Sequence, residues 1–124
     1  MNKSQALYKF WSGFGLSAYE ENSVPDDAIL PYITYSESTG AIGNTMPLTA
    51  SVWYFSANNS WVDIINKTAE ISEGIGYGGK TVQYDNGLLW VNRGQPFAQR
   101  LNEPSDRRIK RMLLNIYAEF ISQD

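Results

Sequence analysis

DRRIKRMLLNIYAEFIS, residues 106–122, is the stretch on which the fold of this chain depends. Its apolar residues fit two periodicities at once. A helical stripe would comprise Ile109, Met112, Leu113, Ile116, Tyr117, Phe120 and Ile121. Strand alternation would instead select Met112, Leu114, Ile116, Ala118 and Phe120. Periodicity alone leaves both interpretations open, so the preceding segments must show whether there is a sheet for a last strand to join.

A hairpin is predicted shortly before this segment. Asn86-Gly87 lies between two β-rich runs, and this dipeptide tolerates the positive φ that a tight hairpin turn requires. Strands are therefore predicted at 80–85 and 88–92. A last strand within 109–121, paired with residues 97–101, would enlarge the same sheet and give helices a broad surface to cover.

Two other segments have the spacing of amphipathic helices. The first covers residues 3–13 and the second covers residues 60–73. Ser60 followed by Asp63 resembles a capping box, with Asp in place of the usual Glu or Gln. Each helix is followed by two glycines that can end it, Gly13 and Gly15 after the first and Gly74 and Gly76 after the second.

PYITYSESTGAIGNTMPLTASVWYFS, residues 31–56, contains two runs of strand-forming residues. Tyr32 to Tyr35 and Leu48 to Phe55 predict two antiparallel strands, joined by the long, glycine-bearing connection 36–46. The order of helix, two strands, helix and two strands predicts a mixed α+β fold. We expect one domain, 1–124, in which a mainly antiparallel sheet packs against the N-terminal and central helices.

Composition excludes several kinds of chemistry. The 124 residues include no cysteine and no histidine, which removes disulfides, thiol nucleophiles, the commonest general base and the usual zinc ligand. A net charge of −3 argues against a broad electrostatic grip on nucleic acid or an anionic membrane. No signal-peptide pattern and no apolar run of membrane-spanning length is present, so we expect a cytosolic protein when it is made.

The candidates for catalysis are weak. GIGYGGK, residues 74–80, resembles a phosphate loop, but it leads from a predicted helix to a predicted strand, whereas a P-loop leads from strand to helix. The acidic pairs Glu20-Glu21 and Asp26-Asp27 lie in a predicted loop, where adjacent carboxylates are usually solvated. We therefore predict no catalytic residue, no metal site and no cofactor.

Two features suggest binding. RRIKR, residues 107–111, is a dense positive cluster that would contact phosphate or an acidic partner, or would simply be a solvated strand start or helix face. Four Trp and eight Tyr residues would form a stacking platform for sugars or bases, or would be buried. Trp53, Trp61 and Trp90 lie inside predicted elements, which favours burial in the core or at a subunit interface.

The order of these segments is itself informative. After the N-terminal helix come Val-Pro-Asp-Asp-Ala (24–28), Pro-Tyr-Ile-Thr-Tyr (31–35), Ser-Val-Trp-Tyr-Phe-Ser (51–56), Ser-Trp-Val-Asp-Ile-Ile (60–65), Leu-Leu-Trp-Val (88–91), Pro-Phe-Ala-Gln (96–99) and Arg-Met-Leu-Leu-Asn-Ile-Tyr-Ala-Glu-Phe (111–120). Over nearly the whole chain this arrangement resembles small tail proteins of long-tailed (siphovirus-type) phages and prophages of Gram-positive bacteria. In particular, it resembles the tail terminator, or tail completion, family.

The resemblance implies a non-enzymatic, cofactor-free virion protein. Such proteins form a ring, usually of six copies, that caps the tail tube, stops its polymerisation and offers a docking surface to the head connector or head-closure protein. It also implies a passing contact with DNA in the lumen, no membrane partner, and a location at the head-proximal end of the tail after assembly in the host cytoplasm. Because the family's last segment is a strand, the resemblance favours a strand at 109–121.

Ring closure requires two different complementary patches on each subunit. The glycine-bearing connection 36–46 is one candidate, with Ser38, Gly40, Ile42, Gly43 and Asn44 as predicted contacts. The other candidate pairs the basic cluster of one subunit with the acids of its neighbour. Its predicted contacts are Arg107, Arg108, Lys110, Asp26 and Asp27.

Two alternative functions remain open from the sequence. A head-closure, adaptor or other minor structural phage protein has similar size and composition, and gene order beside a tail tube protein would separate it from a terminator. A monomeric ligand-binding module would instead use exposed Trp or Tyr side chains.

Overall fold

The computed structural model describes residues 1–38 and 44–122, with the backbone alone described for Ser122. Within these residues the chain forms two helices and six strands. In chain order they are α1 (Lys3–Ser12), β1 (Ser17–Glu20), β2 (Tyr32–Tyr35), β3 (Thr45–Phe55), α2 (Val62–Ile75), β4 (Lys80–Tyr84), β5 (Gly87–Leu101) and β6 (Ile109–Ser122). The predicted α+β class is confirmed.

The ambiguous last segment is a strand in the middle of the sheet. The strand order is β1-β2-β3-β6-β5-β4, and only the β1–β2 pair is parallel. β6 pairs with β3 over the full length of β3, from Thr45 opposite Glu119 to Phe55 opposite Ile109. On its other side, β6 pairs with β5 in two stretches, from Gly87 opposite Ser122 to Arg93 opposite Ile116, and from Ala98 opposite Leu114 to Leu101 opposite Arg111. The predicted pairing of 97–101 with the last strand is therefore confirmed for residues 98–101.

One face of the sheet holds the core. The residues of β6 that strand alternation selects are all at most 5% exposed, namely Met112, Leu114, Ile116, Ala118 and Phe120. From α1, Phe10 and Trp11 pack on this face, and the Trp11 ring stacks on Tyr35 of β2 with centroids 6.4 Å apart. Burying each large apolar side chain contributes about 1.5–3 kcal/mol, so this face supplies most of the driving force for folding.

The first helix ends within one residue of its predicted end, and the two glycines that follow it have different backbone conformations. Gly13 caps α1 in a right-handed conformation, and Gly15 takes the left-handed one with φ of 83°. Asn2 begins the helix with a capping box in which its side chain accepts from Gln5 N–H and the Gln5 side chain accepts from Asn2 N–H.

The predicted capping box of the central helix is wrong. α2 begins at Val62, with Trp61 as its N-cap, so Asp63 occupies the second helical position instead of the third. Ser60 Oγ accepts a hydrogen bond from Val62 N–H at 3.1 Å instead. The helix also runs two residues beyond its predicted end. Gly74 lies inside it, and Gly76, with φ of 77°, ends it.

The Asn-Gly hairpin is confirmed, with its turn one residue earlier than predicted. Asp85 and Asn86 form the turn, Asn86 has φ of 59°, and Gly87 already pairs with Tyr84. A side chain at position 87 is excluded, since a Cβ there would lie 2.4 Å from the Ile121 carbonyl oxygen. β5 is much longer than the predicted 88–92, and a register shift between Arg93 and Ala98 lets it follow β6 to Leu101.

Tyr35 gives the fold a pH dependence at high pH. Burial, reinforced by the carboxylates of Glu37 and Glu20, raises the pKa of Tyr35 to about 12. In the unfolded chain a tyrosine ionises near pH 10. The protonated Tyr35 therefore contributes to folding stability below about pH 10. This contribution is lost as pH rises towards 12, because the unfolded state releases the tyrosine proton first.

Replacing Tyr35 with phenylalanine should make stability fall less steeply between about pH 10 and 12. Urea midpoints measured at several pH values in this window would test the expectation. Tyr77→Phe is the matched control, because Tyr77 is 97% exposed. If both variants kept the wild-type slope, burial of Tyr35 would not govern it.

Candidate interaction surfaces

The two exposed arginines of the basic cluster differ in their partners. Arg108 donates from Nε and Nη2 to the Asp106 carboxylate, at 3.1 Å each, and its backbone N–H also donates to this carboxylate. These hydrogen bonds hold the pKa of Asp106 below its usual range and raise the pKa of Arg108. Arg107 is exposed and, in the part of the chain that is described, its guanidinium forms no hydrogen bond or ion pair. Of the two, Arg107 is thus the cation that is free to bind a partner.

Lys110 lies differently from its neighbours in the cluster. It is only 5% exposed, and its ammonium donates to Asn59 Oδ1 and, at 2.5 Å, to the Arg107 carbonyl oxygen. The ammonium also lies 5.0 Å from the centre of the Trp61 ring. Lys110 therefore links the loop before α2 to the loop before β6. The predicted contact of Lys110 with a neighbouring subunit stays a prediction. A neighbouring subunit would have to reach the ammonium past Asn59, Arg107 and Trp61, which surround it.

A cavity of about 370 Å³ opens beside Lys110. We call it the Trp61 pocket. Its lining includes Asn59, Trp61, Leu101, Glu103, Arg107 and Lys110. The guanidinium of Arg100 lies 5.1 Å from the centre of the Trp61 ring, so this indole contacts two cations. The sequence could not reveal the pocket, because its walls come from segments about 40 residues apart.

The predicted acidic contacts lie in a separate loop. Ala28 N–H donates to the Pro25 carbonyl oxygen at 3.1 Å, so residues 25–28 form a tight turn, which we call the acidic turn. Asp26 and Asp27 occupy its centre, and both are exposed. Among the described residues, neither carboxylate forms an ion pair. The acidic turn and the basic cluster therefore do not meet within one chain, and their pairing between subunits stays a prediction.

The other predicted contact region is described only in part. Ser38 and Asn44 are exposed at the two sides of the connection between β2 and β3. Gly40, Ile42 and Gly43 lie outside the described residues. At the base, Ser36 and Thr49 exchange hydrogen bonds, since the Ser36 hydroxyl accepts from Thr49 N–H at 3.0 Å and donates to its carbonyl oxygen. Hydrogen bonding between β2 and β3 therefore continues to the Ser36–Thr49 pair.

The prediction that Trp53, Trp61 and Trp90 are buried in the core is wrong, whereas their burial at a subunit interface stays a prediction. Trp11 is in the core, whereas Trp53, Trp61 and Trp90 are only half-buried. Trp53 points to the sheet face opposite the helices, where its indole N–H donates to Thr34 Oγ1 at 2.9 Å and Arg111 lies 4.8 Å from the ring centre. Position within a strand does not imply burial, because alternate residues face opposite sides of the sheet.

The glycine-rich segment 74–80 is a structural connection. It leads from α2 to β4, as its position in the sequence predicts, which is the reverse of a phosphate loop. Gly79 has φ of 89°, and the Trp90 indole N–H donates to the Gly78 carbonyl oxygen at 3.1 Å. Within residues 1–38 and 44–122, no group of acidic side chains is arranged to hold a metal ion.

Comparisons with known proteins do not place this chain in a family. No family model matches it, and neither a curated protein nor a solved structure does. The fold and its surfaces define a small α+β domain with a basic pocket and a separate acidic turn. Neither of the two described helices has the length and apolar character needed to cross a membrane.

Proposed function

We propose that this protein is a virion structural protein of the tail terminator type. It forms a ring, six copies being the expected number, that caps the phage tail tube, stops its polymerisation and serves as the docking surface for the head connector. It acts without catalysis or cofactor. Its partners are other copies of itself, the tail tube protein and the head connector or head-closure protein, with a passing contact with DNA in the lumen.

The observation that supports this proposal is the last strand. The resemblance to tail terminators implies a strand at 109–121, and β6 runs from Ile109 to Ser122 in the middle of the sheet. A helix in this segment would have argued against the resemblance. The chain thus has the last strand that the resemblance implies.

The distribution of charge also supports a ring. A closed ring of identical subunits uses heterologous contacts, in which each subunit offers two different surfaces. The basic loop before β6 and the acidic turn between β1 and β2 are two such surfaces, and they do not neutralise each other within the chain. Assembly in the host cytoplasm would place the ring at the head-proximal end of the tail.

Native mass spectrometry tests the ring together with the predicted contact through the connection between β2 and β3. We expect a closed multimer near six copies, formed by the protein alone or on addition of its tail tubes. A variant in which residues 39–43 are replaced by a Gly-Ser segment of the same length should keep the circular dichroism and melting temperature of the wild type but should not assemble. The Ser36–Thr49 hydrogen bonds and the pairing of β3 with β6 lie outside the replaced segment.

Electron microscopy of tubes polymerised with and without the protein supplies the functional measurement. The ring proposal predicts shorter tubes, each with the protein at one end. A protein that stays monomeric in the presence of tubes and leaves their length unchanged would contradict the proposal. Binding to the head connector without binding to tubes would indicate a head-closure or adaptor protein instead.

A further inference from the structure

The cations around the Trp61 pocket lack acidic partners. Within the described residues, Arg100, Arg107 and Lys110 form no ion pair. Glu103 is the one acid among the described residues that lines the pocket, and it accepts a hydrogen bond from the Ser105 hydroxyl at 3.4 Å. A buried ammonium surrounded by neutral acceptors keeps its charge uncompensated, which is unfavourable unless an anion approaches. The pocket therefore has an excess of positive charge.

The geometry of the pocket suits a carboxylate on an extended or turning chain. An ammonium has three donors, and Lys110 uses two of them on Asn59 and the Arg107 carbonyl oxygen. The Arg107 side chain, which has no partner among the described residues, lines the same cavity. At about 370 Å³, the cavity exceeds the size of a single small ion, and Trp61 and Leu101 give it apolar walls.

The acidic turn has the complementary properties. Asp26 and Asp27 are exposed and have no partner among the described residues, and Ile29 beside them is 83% exposed. The turn thus presents two carboxylates followed by an apolar side chain. A cavity with cations and apolar walls matches this order of groups in charge and in polarity.

We propose that the Trp61 pocket receives the acidic turn of a second copy of this chain. The inference rests on the proposed function in so far as it explains how neighbouring subunits of the ring hold each other. Because the pocket and the turn are different surfaces, each subunit binds one neighbour through its pocket and the other through its turn. Such a contact repeats from subunit to subunit in one direction, and it forms a closed ring if the rotation between neighbouring subunits brings the last one back to the first.

A peptide-binding experiment tests the pocket separately from the ring. The probe is a synthetic peptide of residues 20–30, EENSVPDDAIL. It is titrated into the full chain carrying Asp26→Asn and Asp27→Asn, which cannot fill its own pocket in the proposed way. Binding is followed by the NMR signals of the indole N–H groups, and the signal of Trp61 is identified by its loss in Trp61→Phe.

We expect the peptide to shift the Trp61 indole signal and to leave that of the buried Trp11 unchanged. Arg107→Gln should weaken binding at least about tenfold, because a charge-assisted contact is worth about 1.4 kcal/mol or more. Lys9→Gln is the control, since Lys9 is an exposed cation on α1. The same peptide with both aspartates replaced by asparagine should bind at least tenfold more weakly than the acidic one.

Three results would overturn the proposal. The Trp61 signal does not move, the asparagine peptide binds as tightly as the acidic one, or acetate alone shifts the signal as far as the peptide does. The last result would indicate a site for small anions. A ring in native mass spectrometry without peptide binding would refute the pocket contact alone, whereas peptide binding by a chain that never forms a ring would refute the ring alone.

Discussion

Replacing Trp11 with alanine is expected to lower the free energy of unfolding by about 3–5 kcal/mol. Trp11 is 1% exposed, and its ring lies 4.8 Å from Phe10 and 6.4 Å from Tyr35 between ring centroids. It therefore joins α1 to the sheet through an aromatic cluster, and alanine would leave a cavity there. Since domains of this size are stable by about 5–15 kcal/mol, the loss would be a large fraction of the total.

Tyr8→Ala is the matched control for this experiment. Tyr8 belongs to the same helix and is 52% exposed, so its removal should change stability by about 0.5 kcal/mol or less. Urea denaturation followed by circular dichroism would measure both variants. Equal losses for the two variants would show that α1 does not pack through Trp11.

Replacing Gly79 with alanine is expected to cost about 2–4 kcal/mol. Gly79 has φ of 89°, which disfavours any residue with a Cβ. In addition, a Cβ at this position would lie 2.6 Å from the Trp90 indole nitrogen and 2.7 Å from the Val91 carbonyl oxygen. The second neighbour is backbone within the sheet, so it cannot move aside without disturbing the pairing of β4 with β5.

Gly78→Ala separates this effect from the loss of a glycine as such. A Cβ at position 78 would have no neighbour within 4 Å, and the backbone there is outside the left-handed region. Gly78→Ala should therefore change the free energy of unfolding by no more than about 0.5 kcal/mol. Thermal unfolding of the two variants in parallel provides the measurement, and equal melting temperatures would contradict the steric argument.

Much of the fold followed from local patterns. The Asn-Gly hairpin and both helices were predicted within a few residues, because turn conformation and helical periodicity depend on residues that are close in sequence. The last strand was different. Its apolar residues fit a helix and a strand equally well, and only pairing with β3 on one side and β5 on the other decides between them.

The candidate surfaces depended far more on tertiary structure. RRIKR predicted one exposed basic cluster, yet Lys110 is buried against Asn59, a residue 51 positions away in sequence. Trp61 became the wall of a pocket because the loop 102–108 folds beside it. A single sequence contains no signal for such a meeting of distant loops, since each loop by itself has an ordinary polar composition.

By itself, the sequence determined the exclusions and the kinds of local structure. The absence of cysteine and histidine removes several chemistries whatever the fold, and backbone preferences define most helices, strands and turns. The tertiary structure alone decided that β6 lies at the centre of the sheet, that Lys110 is covered, and that Trp53 and Trp61 are partly open. These properties depend on which strand or loop lies alongside, and burial and charge compensation arise only from that proximity.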